Sequence, residues 1–312
     1  MTRPSTWLTH AVVIGLTVVL AAGCVDQATG KALADAGFDT STTLARLYDS
    51  LIQETRETLA IIVVKEILRG NSLPQGDVTT HNGIVAALER RVELARSLSA
   101  AYGALKDLSS SNAPGDTVTA VDALIGHMKN LGVIPPAVDP TPLLNPIIKE
   151  LEDTRQAQGI SHSVELLVKV LNGVKRLFER ESGVYRLLAD RRDGEMRQFT
   201  KTLVEGKMVS TDPLVQQLLQ PFGLPITSTT LPATERTNTA LEELMVLRIQ
   251  QLTFLSKRSI DSMDRSLSLL ADGHRDVIAG RPLHISEIRA ALNQVTGDLD
   301  ATDQLRKEAQ LK

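Results

Sequence analysis

Residues 44–64 read LARLYDSLIQETRETLAIIVV, and their pattern indicates the fold class of the chain. Its apolar side chains recur every three or four residues, the spacing that places them on one face of an α-helix. They are Leu44, Leu47, Tyr48, Leu51, Leu59 and Ile62. Residues 61–64 are all apolar, so we expect this end of the helix to be deeply buried. Gly70-Asn71, with Pro74 beyond, predicts the end of the helix.

The same helical period recurs in the other stretches that contain no proline. It is found around residues 85–108, 118–131, 164–188, 241–270 and 285–305, with a turn predicted at 190–194 and short helices at 196–203 and 213–220. No segment shows the strict apolar-polar alternation of a half-buried strand. We therefore expect an all-α fold, an elongated bundle of six to eight helices with coiled-coil-like packing.

The domain organisation is predicted from the prolines, because proline interrupts the interior of a helix. Five of them fall between Gly132 and Pro146. We expect a tether at 24–40, a first helical lobe at 41–131, a Pro-rich linker at 132–146 and a second helical lobe at 147–312. Packing of the two lobes as one domain is equally compatible with the pattern.

Composition narrows the possible partners. The 312 residues are 42% hydrophobic and only 3% aromatic, so Leu, Val, Ile and Ala must provide most of the core. The formal net charge is −3. Proteins that bind nucleic acids usually present a strongly basic face, so we expect no nucleic-acid partner.

The N-terminus contains the only cysteine of the chain, Cys24. An apolar run at 11–20, AVVIGLTVVL, is followed by Ala21-Ala22-Gly23-Cys24. The run is shorter than the ~20 residues of a membrane-spanning helix and has the length of a signal-peptide core. A disulfide within the chain is excluded because the cysteine has no second thiol to pair with.

This segment resembles the lipobox signal peptide of bacterial lipoproteins. The resemblance covers residues 1–24 and implies removal of residues 1–23, with diacylglycerol and a further acyl chain such as palmitate on Cys24. Ala21 departs from the leucine that the family prefers there, so ordinary signal-peptide cleavage that leaves a free thiol is the alternative. The resemblance implies a lipid anchor in the cell envelope. Because Val25 rather than an aspartate follows the cysteine, it favours the outer membrane facing the periplasm if the cell has one.

Two His-x-x-Glu pairs are weak candidates for metal ligands: His162 with Glu165, and His284 with Glu287. A spacing of three residues on a helix brings both side chains to one face, where they can share a metal. Capping or surface roles near a helix start are the alternative that we favour. We expect no cofactor.

No catalytic motif is present. The sequence lacks His-Glu-x-x-His, Gly-x-Ser-x-Gly and Ser-x-x-Lys, so we expect no enzyme activity. Asp298, Asp300 and Asp303 avoid the apolar positions of the last helix, which predicts a solvated face.

The leading hypothesis is a lipid-anchored helical protein of the cell envelope that acts as a scaffold or accessory protein through a protein partner or self-association. One alternative is a lipoprotein that holds a small apolar ligand or lipid between its helices, with residues 61–64 lining the cavity. A second alternative is an envelope hydrolase with a dispersed active site.

Overall fold

The computed structural model describes residues 27–110, 156–206, 208 and 235–310, together with the single positions 119, 123, 126 and 129. Within these residues the chain forms five α-helices and no strand. They are α1 (Gln27–Leu68), α2 (Gln75–Ser110), α3 (Gln156–Glu205), α4 (Glu235–Ile278) and α5 (Ile285–Gln310). The prediction of an all-α protein is confirmed.

The predicted count of six to eight helices is not matched in the described residues, for two reasons. The helices predicted at 118–131 and 213–220 lie outside the described residues, apart from the single positions named above. In addition, α3 runs without a break through residues 190–194, where a turn was predicted. That prediction was wrong because the charged side chains find partners on the helix itself: Arg197 Nε donates to Asp193 at 2.6 Å, one helical turn away.

The chain divides into two compact units. Unit 1 comprises the described residues of Met1–Ala45, Arg91–Arg180 and Ser262–Asn293. Unit 2 comprises those of Arg46–Arg90, Glu181–Asp261 and Gln294–Lys312. These units differ from the sequential lobes 41–131 and 147–312 that the prolines predict, because each of the five helices contributes one segment to each unit.

The predicted tether at 24–40 is helical from Gln27 onward, since α1 begins there. Leu33, Ala34 and Ala36 are buried in unit 1, and Thr40 donates its hydroxyl to the carbonyl oxygen of Ala36 at 2.7 Å. Small and apolar side chains at helical spacing therefore give this segment a packing role in the core.

Each unit has its own apolar core. The largest fully buried side chains of unit 1 include Tyr102, Phe178 and Leu98. In unit 2, Tyr48 and Tyr185 pack edge to face with ring centroids 6.0 Å apart. Leucine, valine and alanine supply most of the remaining core in both units, as the low aromatic content predicts.

Two helices end in the same way. Gly70 follows α1 with φ 74° and Gly280 follows α4 with φ 68°, a left-handed conformation that glycine adopts without strain. The amides of Asn71 and Arg281 then donate to carbonyl oxygens five residues earlier, at 3.0 and 2.7 Å. This hydrogen-bond pattern is a Schellman motif, and the predicted end of α1 near Gly70 is confirmed.

The end of α1 is less buried than expected. Ile62 is buried, but Ile61 is only partly covered and Val64 is 42% exposed. The prediction of a deeply buried end was wrong because the helix passes beside an open cleft, which Ile61 lines.

Candidate functional site

A cleft of about 520 Å³ in unit 2 is the candidate site. Four helices contribute to it, each through one short segment. The lining residues are Glu57, Ala60 and Ile61 of α1, Arg192, Met196 and Thr200 of α3, Met245, Arg248, Ile249 and Leu252 of α4, and Leu305 and Arg306 of α5. We call this group the unit 2 cleft.

Helical geometry explains why these residues meet. On α3 the lining positions 192, 196 and 200 are four residues apart, and on α4 the positions 245, 248, 249 and 252 follow the three-and-four spacing of one helix face. Side chains at these intervals project from the same side of a helix. Each of these two helices therefore presents one row of side chains to the cleft.

The walls of the cleft are mostly aliphatic. Two methionines, Met196 and Met245, lie among branched side chains of which Ile249 and Leu252 are largely buried. Methionine is unbranched and polarisable, so it adapts to ligands of irregular shape. The described lining contains no histidine, serine or cysteine.

The polar part of the cleft is built around a buried carboxylate, Glu54. Its Oε1 lies 3.3 Å from Arg192 Nη1 and 3.4 Å from Arg306 Nη2, and its Oε2 accepts a hydrogen bond from Ser256 Oγ at 3.0 Å. Glu57 is the second carboxylate: it lies 3.5 Å from Arg192 Nη2 and 3.3 Å from Arg306 Nε. Two arginines from different helices thus share two glutamates of α1.

Burial sets the electrostatics of this cluster. The side chain of Glu54 is 4% exposed, and this burial raises the pKa of its carboxyl group above the ordinary value, against the opposing effect of Arg192 and Arg306. The side chain of Arg192 is 3% exposed, yet its Nε and Nη1 donate no hydrogen bond to any described residue. Buried guanidinium N–H groups without an acceptor are costly, so this arginine has unused donor capacity beside the cleft.

Glu165, His284 and Glu287, the sequence-predicted residues whose side chains the structure describes, do not line the unit 2 cleft. Cys24 is outside the described residues. His284 is exposed and directly precedes α5, with exposed Glu287 in the first turn. Glu165 is exposed on α3, while the side chain of His162 is outside the described part of the structure. No group of three or more potential metal ligands is found among the described residues.

The cluster in the cleft escaped the sequence analysis although it left a signal. Glu54 lies between Leu51 and Thr55 on the apolar face of α1, and Arg306 continues the buried stripe of Leu299 and Thr302 on α5. A charged residue at a core position of a helix must find a buried partner. Such positions in the sequence indicate the candidate site in the unit 2 cleft.

A second buried polar pair lies in unit 1 and is independent of the cleft. Tyr102 Oη lies 2.7 Å from His274 Nε2, and both side chains are fully buried. Burial lowers the pKa of His274 to about 4, while a backbone hydrogen bond with Val164 works in the opposite direction. The imidazole is therefore neutral at pH 7, and its Nε2 is bonded to the tyrosine hydroxyl.

Because His274 is buried in its neutral form, we expect acid to destabilise the protein. Because the pKa of His274 in the folded state lies below its ordinary 6.5, its contribution to stability is present above pH 6.5 and is lost as the pH falls towards 4. Between pH 7.5 and 4.5 we expect a loss of about 2–3 kcal/mol in the free energy of unfolding from this group. Urea unfolding at the two pH values measures it. His274→Gln should remove this part of the pH dependence and His284→Gln, at an exposed histidine, should retain it; equal slopes for the two variants contradict the prediction.

Comparison with known proteins gives no relative for this chain: no family model, no curated protein and no solved structure matches it. In the part of the chain that the structure describes, no helix combines the length and the apolar character needed to cross a membrane.

Proposed function

We propose that this protein binds a small, mostly apolar molecule in the unit 2 cleft. The single observation that carries the proposal is the cleft itself, whose 520 Å³ falls within the ~300–1,000 Å³ of typical ligand sites. Its aliphatic walls with a few charged groups have the composition of such sites. Ile61 lines the cleft, in agreement with the hypothesis that residues 61–64 contribute to a cavity between helices.

Filling the cleft with a bulky side chain tests the proposal. Ala60 lies on the wall at an exposed position, so we expect Ala60→Trp to fold while occupying part of the ligand's volume. A neutral fluorescent naphthylamine probe should bind the full chain and lose about tenfold or more in affinity for this variant, because an aromatic ring displaces a comparable apolar contact.

The matched control is Ala100→Trp, the same change at an exposed position of α2 that does not line the cleft. It should bind the probe as the unmodified protein does. Absence of probe binding, or equal losses in both variants, argues against a ligand site in the cleft. Native mass spectrometry of the gently purified chain provides an independent measurement, since a tightly bound natural ligand adds a discrete mass.

A scaffold or accessory role is the second candidate. It is favoured by exposed apolar side chains at the end of α1, where Val64, Ile67 and Leu68 fall within one helical turn in unit 2. Exposed apolar groups of this kind are typical of protein-protein contacts. A scaffold needs no small ligand, so the probe titration separates the two candidates.

The proposed lipid anchor on Cys24 is compatible with either role. Cys24 precedes the first residue of α1 by three positions. A lipid on this cysteine would hold the helices close to the membrane surface, where apolar and amphiphilic molecules are concentrated. Mass spectrometry of the N-terminal peptide from cells tests this proposal by the mass of the acyl groups.

A further inference from the structure

Four methionines have side chains that the structure describes, and they differ in their access to solvent. Met196 of α3 and Met245 of α4 are partly exposed, and both line the unit 2 cleft. Met208 is 52% exposed beyond the end of α3, whereas Met263 is fully buried in unit 1. Neither of these two lines the cleft. Met196 and Met245 therefore combine contact with solvent and a place on the wall of the candidate site.

The two cleft methionines belong to different helices. Met196 lies between Arg192 and Thr200 in the row of lining residues on α3, and Met245 lies one turn before Ile249 in the row on α4. Residues four positions apart on a helix share one face, so each thioether is a regular member of its row. A chemical change at both methionines therefore alters two walls of the cleft at once.

The thioether is the most readily oxidised group in the lining of the cleft. Apart from the two methionines, the lining consists of aliphatic, arginine, glutamate and threonine side chains. Peroxides do not readily attack these groups, whereas they convert the methionine thioether into a sulfoxide. Oxidation of the cleft wall is thus confined to Met196 and Met245.

The reaction with hydrogen peroxide transfers one oxygen atom to sulfur. A lone pair of the sulfur attacks one peroxide oxygen, so that an S–O bond forms as the O–O bond breaks. The departing hydroxide takes the proton left on the transferred oxygen and becomes water. The sulfur is oxidised and the peroxide is reduced. Methionine sulfoxide reductases return the sulfoxide to the thioether, so the change is reversible.

We propose that Met196 and Met245 are oxidation sites that control the affinity of the unit 2 cleft for its apolar ligand. The reduced thioethers pack against such a ligand as apolar, adaptable groups. A sulfoxide places a polar oxygen on the wall, and an apolar ligand that covers this oxygen displaces water without supplying a hydrogen bond. The affinity therefore falls on oxidation. The inference rests on the proposed function and adds its regulation.

Treatment of the folded full chain with hydrogen peroxide tests the inference. Peptide mapping by mass spectrometry should show that the peptides of Met196 and Met245 gain the mass of an oxygen atom. The peptide of Met263 should stay reduced, because this side chain has no contact with solvent, and its state also reports that the core is intact. The affinity for the neutral naphthylamine probe should fall about tenfold, and methionine sulfoxide reductases with a dithiol should restore it.

The double variant Met196→Leu/Met245→Leu removes both sulfur atoms and conserves the volume of the side chains. Each protein is compared with itself before and after peroxide, and the affinity of the double variant should not change. The matched control is Met208→Leu, which removes an exposed methionine outside the cleft and should keep the sensitivity to peroxide. Cys24 is retained in every variant, so its oxidation cannot produce a difference between them. If the double variant does not fold, the two single variants, each with part of the sensitivity, replace it.

Each contrary result has a distinct meaning. The inference is overturned if Met196 and Met245 stay reduced under conditions that oxidise Met208, or if both are oxidised and the affinity for the probe is unchanged. An equal loss of affinity in the double variant also overturns it. In these three cases the untreated protein still binds the probe, and the proposed function stands. If the untreated protein does not bind the probe, the proposed function fails and the inference fails with it.

Discussion

Replacing Glu54 with alanine is expected to destabilise the protein by about 3–5 kcal/mol, because two buried guanidinium groups lose the buried carboxylate that they share and keep only the partly exposed Glu57 between them. Arg192 and Arg306 have side chains 3% and 7% exposed, so neither gains compensating hydration when Glu54 is removed. Ser256 also loses its acceptor. Urea unfolding followed by circular dichroism measures the change in the free energy of unfolding.

The control for this prediction is Glu89→Ala, which removes the carboxylate of an exposed pair. Glu89 lies 3.0 Å from Arg56, and both side chains are more than half exposed. Exposed pairs contribute about 0–1 kcal/mol, so this variant should be nearly as stable as the unmodified protein. Should Glu54→Ala fail to fold, Glu54→Gln, which keeps the shape and the acceptor oxygen, serves as the measurable variant. Equal stability of the Glu54 and Glu89 variants would contradict the assignment of a buried ion-pair cluster.

Gly37→Ala is also expected to destabilise the protein strongly, by overpacking the core of unit 1. A β-carbon at this position of α1 would lie 2.2 Å from Cε1 of Tyr102, whose ring is buried and whose hydroxyl group is bonded to His274. The helix or the ring must move, and overpacking of this kind costs about 1–3 kcal/mol or more. Alanine is intrinsically better in a helix than glycine by about 1 kcal/mol, which offsets part of this cost. Because the clash is severe, we expect a net loss of about 2 kcal/mol in the free energy of unfolding.

Gly83→Ala gives the opposite sign and serves as the control. Gly83 is exposed on α2, and a β-carbon there meets no atom within 4 Å. We expect a gain of about 0.5–1 kcal/mol from the improved helix propensity alone. Thermal unfolding of both variants checks the pair of predictions. A stabilised Gly37→Ala would mean that Tyr102 does not pack against α1 as described.

The helices could be predicted from sequence because their signal is local. In α1, Leu44, Leu47, Tyr48 and Leu51 repeat at helical spacing, and all four are buried. The position of its end also followed from one residue, Gly70, whose positive φ is a local requirement of the Schellman motif. Each of these features involves residues within a few positions of one another.

The extent of the helices was less predictable. The sequence pattern predicts a turn at 190–194 and a tether at 24–40, whereas residues 190–194 and 27–40 are helical. A polar helical segment has a weak periodic signal, and its side chains find partners elsewhere in the chain as well as on their own helix. Lys257, for example, lies 2.5 Å from Asp190 on another helix.

Asp298 is the clearest residue that sequence reasoning misplaced. It was predicted on a solvated face together with Asp300 and Asp303, but it is buried, and its carboxylate accepts hydrogen bonds from Arg258 of α4, including one from Nε at 2.9 Å. Asp300 is largely exposed, as predicted, and Asp303 is about half exposed. The position of a charged residue on its own helix does not reveal a partner that is 40 residues away.

The residue pattern alone predicts the all-α class, the core faces of the helices and the composition of the core, because helical periodicity and side-chain hydrophobicity act over one or two turns. It also supplied the prediction of a lipid on Cys24, which remains to be tested. The packing of the helices, in contrast, brings Glu54, Arg192 and Arg306 together and forms a cleft beside them. These three residues are more than 100 positions apart along the chain. Which buried charges become neighbours is therefore determined by the packing of whole helices.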